Sequence, residues 1–343
     1  MKRERGQGRG IGSWPIGSRA PSTMQAILPS SGKFVTTQSL HLNVDLRVPR
    51  LPKEGLNLQA HSAESSPGGG YVGAVAARAQ GVRTLCASPL GTGPNSHAIR
   101  RRLALDGLEA LPGAIVGDVG VGVSLVEEDG KVASVIAPGV EAETSLDLLA
   151  SVPIESGDIV LIHGGDLAVS SSAEVLTQWV PTLPEDFKVV IAVSPAVDQV
   201  SAEVWIPLLQ RADILTMNIR EADTIRETLT AGSAGTSIRN VLRKDAAIVR
   251  RLGAMGCDLQ ESSESRTTQV PSFRAEMVDT AGVGDTHVAV MCASLLQGST
   301  LHGACVRANA AGALMVQHPG SYPPPTKHQV DQVIAVKSAA VLA

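Results

Sequence analysis

Aromatic residues are almost missing from this chain: Phe, Trp and Tyr make up 2% of its 343 residues. A core without rings has to be filled by Ala, Val, Leu and Ile. The hydrophobic fraction of 43% supplies enough of them for a sizeable globular fold. Cysteine is scarce too. Cys86, Cys257, Cys292 and Cys305 form no CxxC pair, and none has a histidine at zinc-site spacing. This argues against a disulfide framework and leaves small buried apolar residues in a reducing, cytoplasmic setting. No apolar run approaches the ~18 residues of a membrane span, so no membrane partner is expected. Basic residues are not in excess. A net charge of −4 lacks the footprint of a nucleic-acid binder. HExxH is absent, which removes support for zinc catalysis, and GxxxxGK[ST] is absent, which removes a P-loop. The string Gly120-Val121-Gly122 lacks the strand, turn, helix and acid of a dinucleotide site.

The amino-terminal stretch differs from the rest. Lys2, Arg3, Arg5, Arg9 and Arg19 face only Glu4 in a Gly-, Ser- and Pro-rich segment with no apolar signal core. Residues 1–32 read as a disordered basic tail or as a mis-assigned start, with Met24 as the true initiator.

From about residue 33 the chain alternates strand-like and helix-like segments. Strands are predicted at 34–38, 44–48, 82–87, 159–162, 188–193, 214–217 and 246–250. Helices are predicted at 71–80, 96–105, 171–179, 202–210 and 219–229. Such alternation implies an α/β domain with a mostly parallel sheet covered by helices. Segments 121–127 and 131–137 flank Asp129-Gly130, a hairpin signal, and read as part of a small flap. The last third reads as helical, with small residues at helical spacing around Cys305, Ala308 and Gly312 that permit close helix packing. One domain is expected over 33–343, with lid segments at about 41–66 and 113–138.

The informative stretch is Val278-Asp279-Thr280-Ala281-Gly282-Val283-Gly284-Asp285-Thr286-His287. A glycine-rich turn runs into an apolar helix. The first amides of a helix have no internal partner, and the macrodipole is positive there. Gly282 and Gly284 let the backbone approach a ligand. The result is an anion hole suited to a phosphoryl group in transit. A carboxylate in that turn, Asp285, would sit where an incoming hydroxyl loses its proton.

This stretch resembles the signature of the ribokinase-like (phosphofructokinase-B-type) carbohydrate kinases, approximately DTxGAGD before a helix, with Val283 in place of the usual Ala. Further matches follow in the family's order over nearly the whole domain. Pro67-Gly68-Gly69-Gly70 before an Ala-rich helix resembles the Gly-Gly signature, and Pro89 to Pro94 the following glycine-rich turn. Asn218-Ile219-Arg220-Glu221 resembles the NxxE element, Val249 to Gly256 the nucleotide loop, and Ala308 to Gly312 the helix beside adenine.

The resemblance implies a three-layer ribokinase-like fold with a β-lid, and a kinase that moves the γ-phosphoryl group of ATP to a hydroxyl of a sugar, sugar derivative or nucleoside. It implies Asp285 as the base, with Gly282, Val283 and Gly284 as the anion hole. Asn218, Arg251, Gly253, Gly256 and Asn309 would attend the nucleotide. Glu221 would organise Mg2+ through waters. Asp279, Ala281 and Gly320 map to a site for K+ in many members. Gly69 and Gly70, with Asn43 or Asp45, would meet the substrate. Asn43 and Asp45 lie two apart on one strand face, which leaves the register open. Lid strands pair between subunits in many members, which implies a homodimer.

The departures fall on the acceptor side. Gly73 stands where many members carry Asn, and Ser96-His97 where many carry Gly-Asp. They keep a second reading in play: a sugar- or nucleotide-binding regulator on the same fold. His163, before Gly164-Gly165 at a strand end, reads first as structural and second as a substrate contact. His287, two after Asp285, reads first as a residue that packs on its helix or meets solvent and second as one that faces the site.

Overall fold

The structure is a computed structural model; it describes residues 32–342 except 56, 128–130, 232–235 and 319–321. The elements in chain order are β1 (Phe34–Thr36), β2 (Leu42–Val48), β3 (Ser62–Pro67), α1 (Tyr71–Ala79), β4 (Thr84–Cys86), α2 (Pro94–Leu105), β5 (Glu109–Ala110), β6 (Val121–Glu127), β7 (Val132–Ala137), α3 (Leu146–Ala150), β8 (Ile159–His163) and α4 (Ser170–Trp179). There follow β9 (Lys188–Ala192), α5 (Ala202–Arg211), β10 (Ile214–Asn218), α6 (Ile219–Ala231), α7 (Ile238–Val241), β11 (Ala247–Arg251), β12 (Cys257–Gln260), β13 (Thr268–Val270), α8 (Val283–Leu296), α9 (Leu301–Met315) and α10 (Lys327–Leu342).

A nine-stranded sheet runs in the order β13-β12-β11-β10-β9-β8-β1-β4-β5. Its pairs are parallel except β11–β12 and β12–β13. The strands carry apolar residues on both faces, as buried parallel strands must. Val160 and Ile162 of β8 pack with Leu176, Trp205, Leu208 and Ile225 from α4, α5 and α6. Ile159 and Leu161 point the other way, towards Ala76 of α1, Val288 and Cys292 of α8, and Ala308 of α9. The period of two in a strand thus divides one short run between two helical layers. All four cysteines are free and buried, as small apolar residues.

The second sheet, β3-β2-β6-β7, is the lid. Strands β6 and β7 pair antiparallel as expected, from Val121↔Ala137 to Val126↔Val132, while Asp129-Gly130 lies outside the described residues. Strand β2 pairs parallel with β6 and antiparallel with β3. At the lid's base Asp118 accepts from the amides of Asn95 and Ser96, which ties the lid to the start of α2. Glu141 accepts from the Gly120 and Gly139 amides in the same hinge.

Two expectations need correction. The last third is not wholly helical: β12 and β13 complete the sheet edge. Only alternate residues of Cys257–Gln260 are buried, too short a period to stand out along the chain. Strand β3 was not expected either. Its sequence SAESSP has weak strand preference, and pairing with β2 makes it a strand.

Candidate active site

The site lies at the carboxyl ends of the parallel strands, where open α/β sheets bind ligands. Gly282 caps α8 in the left-handed region, φ +69. A Cβ there would lie 2.9 Å from Val72 Cγ1, so the turn needs glycine for its conformation and for the approach of α1. Asp279 Oδ1 accepts from the Ala281 amide and shapes the turn's entry. The amides of Gly284 and Asp285 follow at the helix start, where no intrahelical acceptor exists. Asp285 is in this first turn, with its side chain 32% exposed.

Arg251, at the end of β11, braces the turn from the side expected to hold the nucleotide. Its Nη1 donates to the Gly284 carbonyl at 3.3 Å and its Nη2 to Glu221 Oε2 at 2.9 Å. Glu221 is 2% exposed, in the first turn of α6. Its oxygens also accept from the Asn218 amide at 2.7 Å and from Asn218 Nδ2 at 2.8 Å. Asn218 Oδ1 returns the contact by accepting from the Glu221 amide at 2.8 Å. Both Glu221 oxygens are thus engaged. No group of three His, Cys, Asp or Glu side chains among the described residues is placed to hold a metal ion. Such a donor set fits Mg2+ that keeps its waters and rides on phosphate oxygens, and does not fit a protein cage.

A cleft of about 450 Å3 opens beside Gly284, and Arg251, Gly253, Gly256 and Asn309 all line it. Gly253 and Gly256 have φ of +61 and +94, and a Cβ on Gly256 would lie 2.1 Å from the Val270 carbonyl oxygen. Phe273 and Met277 add apolar wall. Asn309 is 4% exposed, and its amide is spent internally. Nδ2 donates to the Val270 carbonyl at 2.9 Å, and Oδ1 meets His287 Nε2 at 3.1 Å. His287 is therefore buried in a polar contact under the cleft.

The side expected to take the acceptor lies across Asp285. His163 ends β8 with Nε2 3.8 Å from Asp285 Oδ1. Asp166, in the turn after β8, accepts from the Ser39 amide at 3.1 Å and the Ser39 hydroxyl at 2.7 Å through Oδ1, while Oδ2 is buried without a partner. Burial raises the Asp166 pKa, against His163, Ser39 and His41, which pull it down. Gly69, φ +63, sits so tightly on Ser39 that a Cβ would lie 2.0 Å from its carbonyl oxygen. Gly70 packs on Gln38 in the same way. His41 flanks Gly68 and Gly69, and Asn43 lies between Gly68 and Gly122. Asp45 is two positions further along β2, opposite Glu64 and Ser124 in the lid. At Gly73 a Cβ would meet Asp285 Cβ at 3.8 Å, ordinary contact.

The expected residues thus gather on two sides of one turn. Asn43 lies at the Gly-Gly turn and Asp45 out in the lid; Gly320 lies outside the described residues. Reading the sequence missed Ser39 and Asp166, and it missed the contact of Arg251 with Gly284. An acid directly after the strand-end pair Gly164-Gly165 was an available signal for Asp166. In a chain so poor in rings, Phe273 was another.

The family description "pfkB family carbohydrate kinase" matches residues 34–328. A protein described as uncharacterized sugar kinase YegV of Escherichia coli (strain K12) is 27% identical over 283 residues, 82% of this chain and 87% of that protein. Ribokinase of Bacillus subtilis (strain 168) is 26% identical over 289 residues, 83% of this chain and 93% of its own. Among solved structures, ribokinase of Thermotoga maritima superposes with a TM-score of 0.71 at 18% identity, covering 88% of this chain and 99% of that one. The Arabidopsis thaliana ribokinase structure complexed with ribose and ATP gives 0.68 at 20% identity, covering 88% and 98%. The order of glycine turns, the strand-end acids and the match over residues 34–328 agree: this chain belongs to the pfkB family of carbohydrate kinases, phosphotransferases with an alcohol group as acceptor.

Proposed function

We propose that this protein phosphorylates a hydroxyl of an unphosphorylated sugar with ATP, and that Asp285 is the base. One observation carries this reading: consecutive residues of a single helix-start turn serve both sides. Gly284 lines the large cleft, and Asp285 faces His163 and the acceptor side. Asp285 takes the proton of the hydroxyl as its oxygen bonds to the γ-phosphorus and the bond to ADP breaks. The amides at the start of α8 stabilise the charge spread over the phosphoryl oxygens in transit. Arg251 keeps the turn and Glu221 in register. Mg2+, bound with ATP, would neutralise phosphate charge, with Asn218 and Glu221 meeting its water shell. Asp279 and Ala281 shape the turn where K+ would bind.

Charge supports an unphosphorylated acceptor. His41, Asn43, His163, Asp166 and Asp285 gather near this side, and none of these five is a Lys or Arg that would hold a phosphate. The Asp285 carboxylate repels one. Relatives vary here: one, of Halopiger xanaduensis, is named ATP-dependent ribose-1-phosphate kinase. Lid closure would exclude water and limit ATP hydrolysis.

The test is coupled ADP release over a panel of free sugars, sugar phosphates and nucleosides, with Asp285→Asn alongside. Free sugars should stimulate turnover, and Asp285→Asn should lower it by about 10²–10⁴ while ATP–Mg2+ still raises the melting temperature. Protection by ATP without turnover on any acceptor would make the protein a nucleotide-binding regulator instead.

A further inference from the structure

His163 is held in a way that packing alone does not require. Its Nδ1 accepts from the Gly165 amide at 3.2 Å. That contact assigns the neutral ring: the lone pair on Nδ1 is taken, so the proton sits on Nε2. Nε2 is the atom that faces Asp285 Oδ1, at 3.8 Å.

A side chain on either glycine after His163 would be crowded. A Cβ on Gly165 would lie 3.0 Å from His163 Nδ1 and 3.2 Å from its Cε1. A Cβ on Gly164 would lie 3.0 Å from the Ser194 amide nitrogen and 3.2 Å from the Trp205 ring. The string His163-Gly164-Gly165 therefore builds a fitted seat for an imidazole at the end of β8.

The titratable groups near this imidazole are Asp285 on α8 and Asp166 in the following turn, with His41 acting on Asp166 from the lid side. The Gly165 N–H opposes a proton on Nδ1, because two N–H groups would then face each other. With Nδ1 occupied, His163 has no free lone pair with which to take a proton from a substrate. It is a donor, and the group within its reach is Asp285.

We propose that His163 is a positioning residue for Asp285: its Nε2–H fixes one carboxylate oxygen so that the other is presented to the acceptor hydroxyl. The inference rests on the reading of Asp285 as the base. A movement of about 1 Å brings the pair to hydrogen-bond distance, and catalytic hydrogen bonds commonly tighten when substrate binds.

Two variants and one spectroscopic readout test it. His163→Leu should lower kcat about 10–100-fold with the KM for ATP within about two-fold of wild type. His163→Gln, whose amide N–H reaches about the position of Nε2, should recover most of the loss. A merely structural histidine would show no such recovery, and melting temperature would track activity. Ring-nitrogen NMR of the whole protein, with no acceptor present, should show the neutral His163 ring bare at Nδ1 and protonated at Nε2. A neutral His163 ring that carries its proton on Nδ1, or a His163→Leu enzyme with full kcat, overturns the proposal while leaving Asp285 as the base. Failure of every acceptor to stimulate turnover overturns the kinase reading itself, and this role for His163 with it.

Discussion

Arg251 holds the buried Glu221 carboxylate at 2.9 Å and carries that contact to the helix-start turn through the Gly284 carbonyl. Arg251→Met would strand Glu221, 2% exposed, with only the Asn218 donors. Removing one partner of a buried pair costs about 3–5 kcal/mol, and the Asn218 contacts should keep the loss near the lower figure. Urea unfolding midpoints would show it. Arg251→Met combined with Glu221→Gln should recover much of the stability, because no unpaired buried charge remains. Thermal protection by ATP–Mg2+ should stay weak in the double variant, since the brace on Gly284 is still missing.

Gly282→Ala tests the turn itself. The left-handed conformation costs a side chain about 1–2 kcal/mol, and the new methyl would press on Val72 Cγ1. Turnover should fall as the helix-start amides shift. Adding Val72→Ala should restore part of the stability by relieving the contact, and less of the activity, because the backbone strain remains. Parallel melting curves and ADP-release rates separate the two.

Asp166 is predicted to trade stability for binding. Its pKa is raised by burial, so the fold favours its protonated form. The sign follows: its contribution is fully present below the unfolded carboxyl pKa and is lost as pH rises through the folded one. Asp166→Asn keeps an acceptor for Ser39 and cannot ionise. It should raise the melting temperature at pH 7, with the gain shrinking towards pH 4, and it should raise the KM for the acceptor. A variant that is less stable at pH 7 than wild type, by scans across that range, would refute the prediction.

Asn309→Ala removes a buried amide and leaves the Val270 carbonyl and His287 without their partner. The cost should be about 1–3 kcal/mol in unfolding experiments. Nucleotide protection should weaken with it, because the floor of the cleft loses its bracing.

Much of this site was legible in the chain because its parts are local. Asn218 and Glu221 are three apart, so a strand end running into a helix brings them together. Gly282, Gly284 and Asp285 share one turn. The lid hairpin showed as two apolar runs around a turn. The weak points were segments whose structure comes from neighbours: β3, polar and paired by β2, and β12, too short to display a period.

The sequence by itself determined the alternation of strands and helices, the glycine turns and the acid at the start of α8. Apolar period and backbone freedom are written residue by residue. Only the tertiary structure decided which strand ends meet. Ser39 and Asp166 stand 127 positions apart and touch because β8 pairs with β1. Arg251 and Gly284 stand 33 apart and touch because α8 starts beside the end of β11. His163 meets Asp285 for the same reason, across helix and sheet. Strand order is a property of the packed whole, since each apolar face is satisfied by any neighbour that buries it. The acceptor side, built from such distant pairs, is therefore where the chain alone said least.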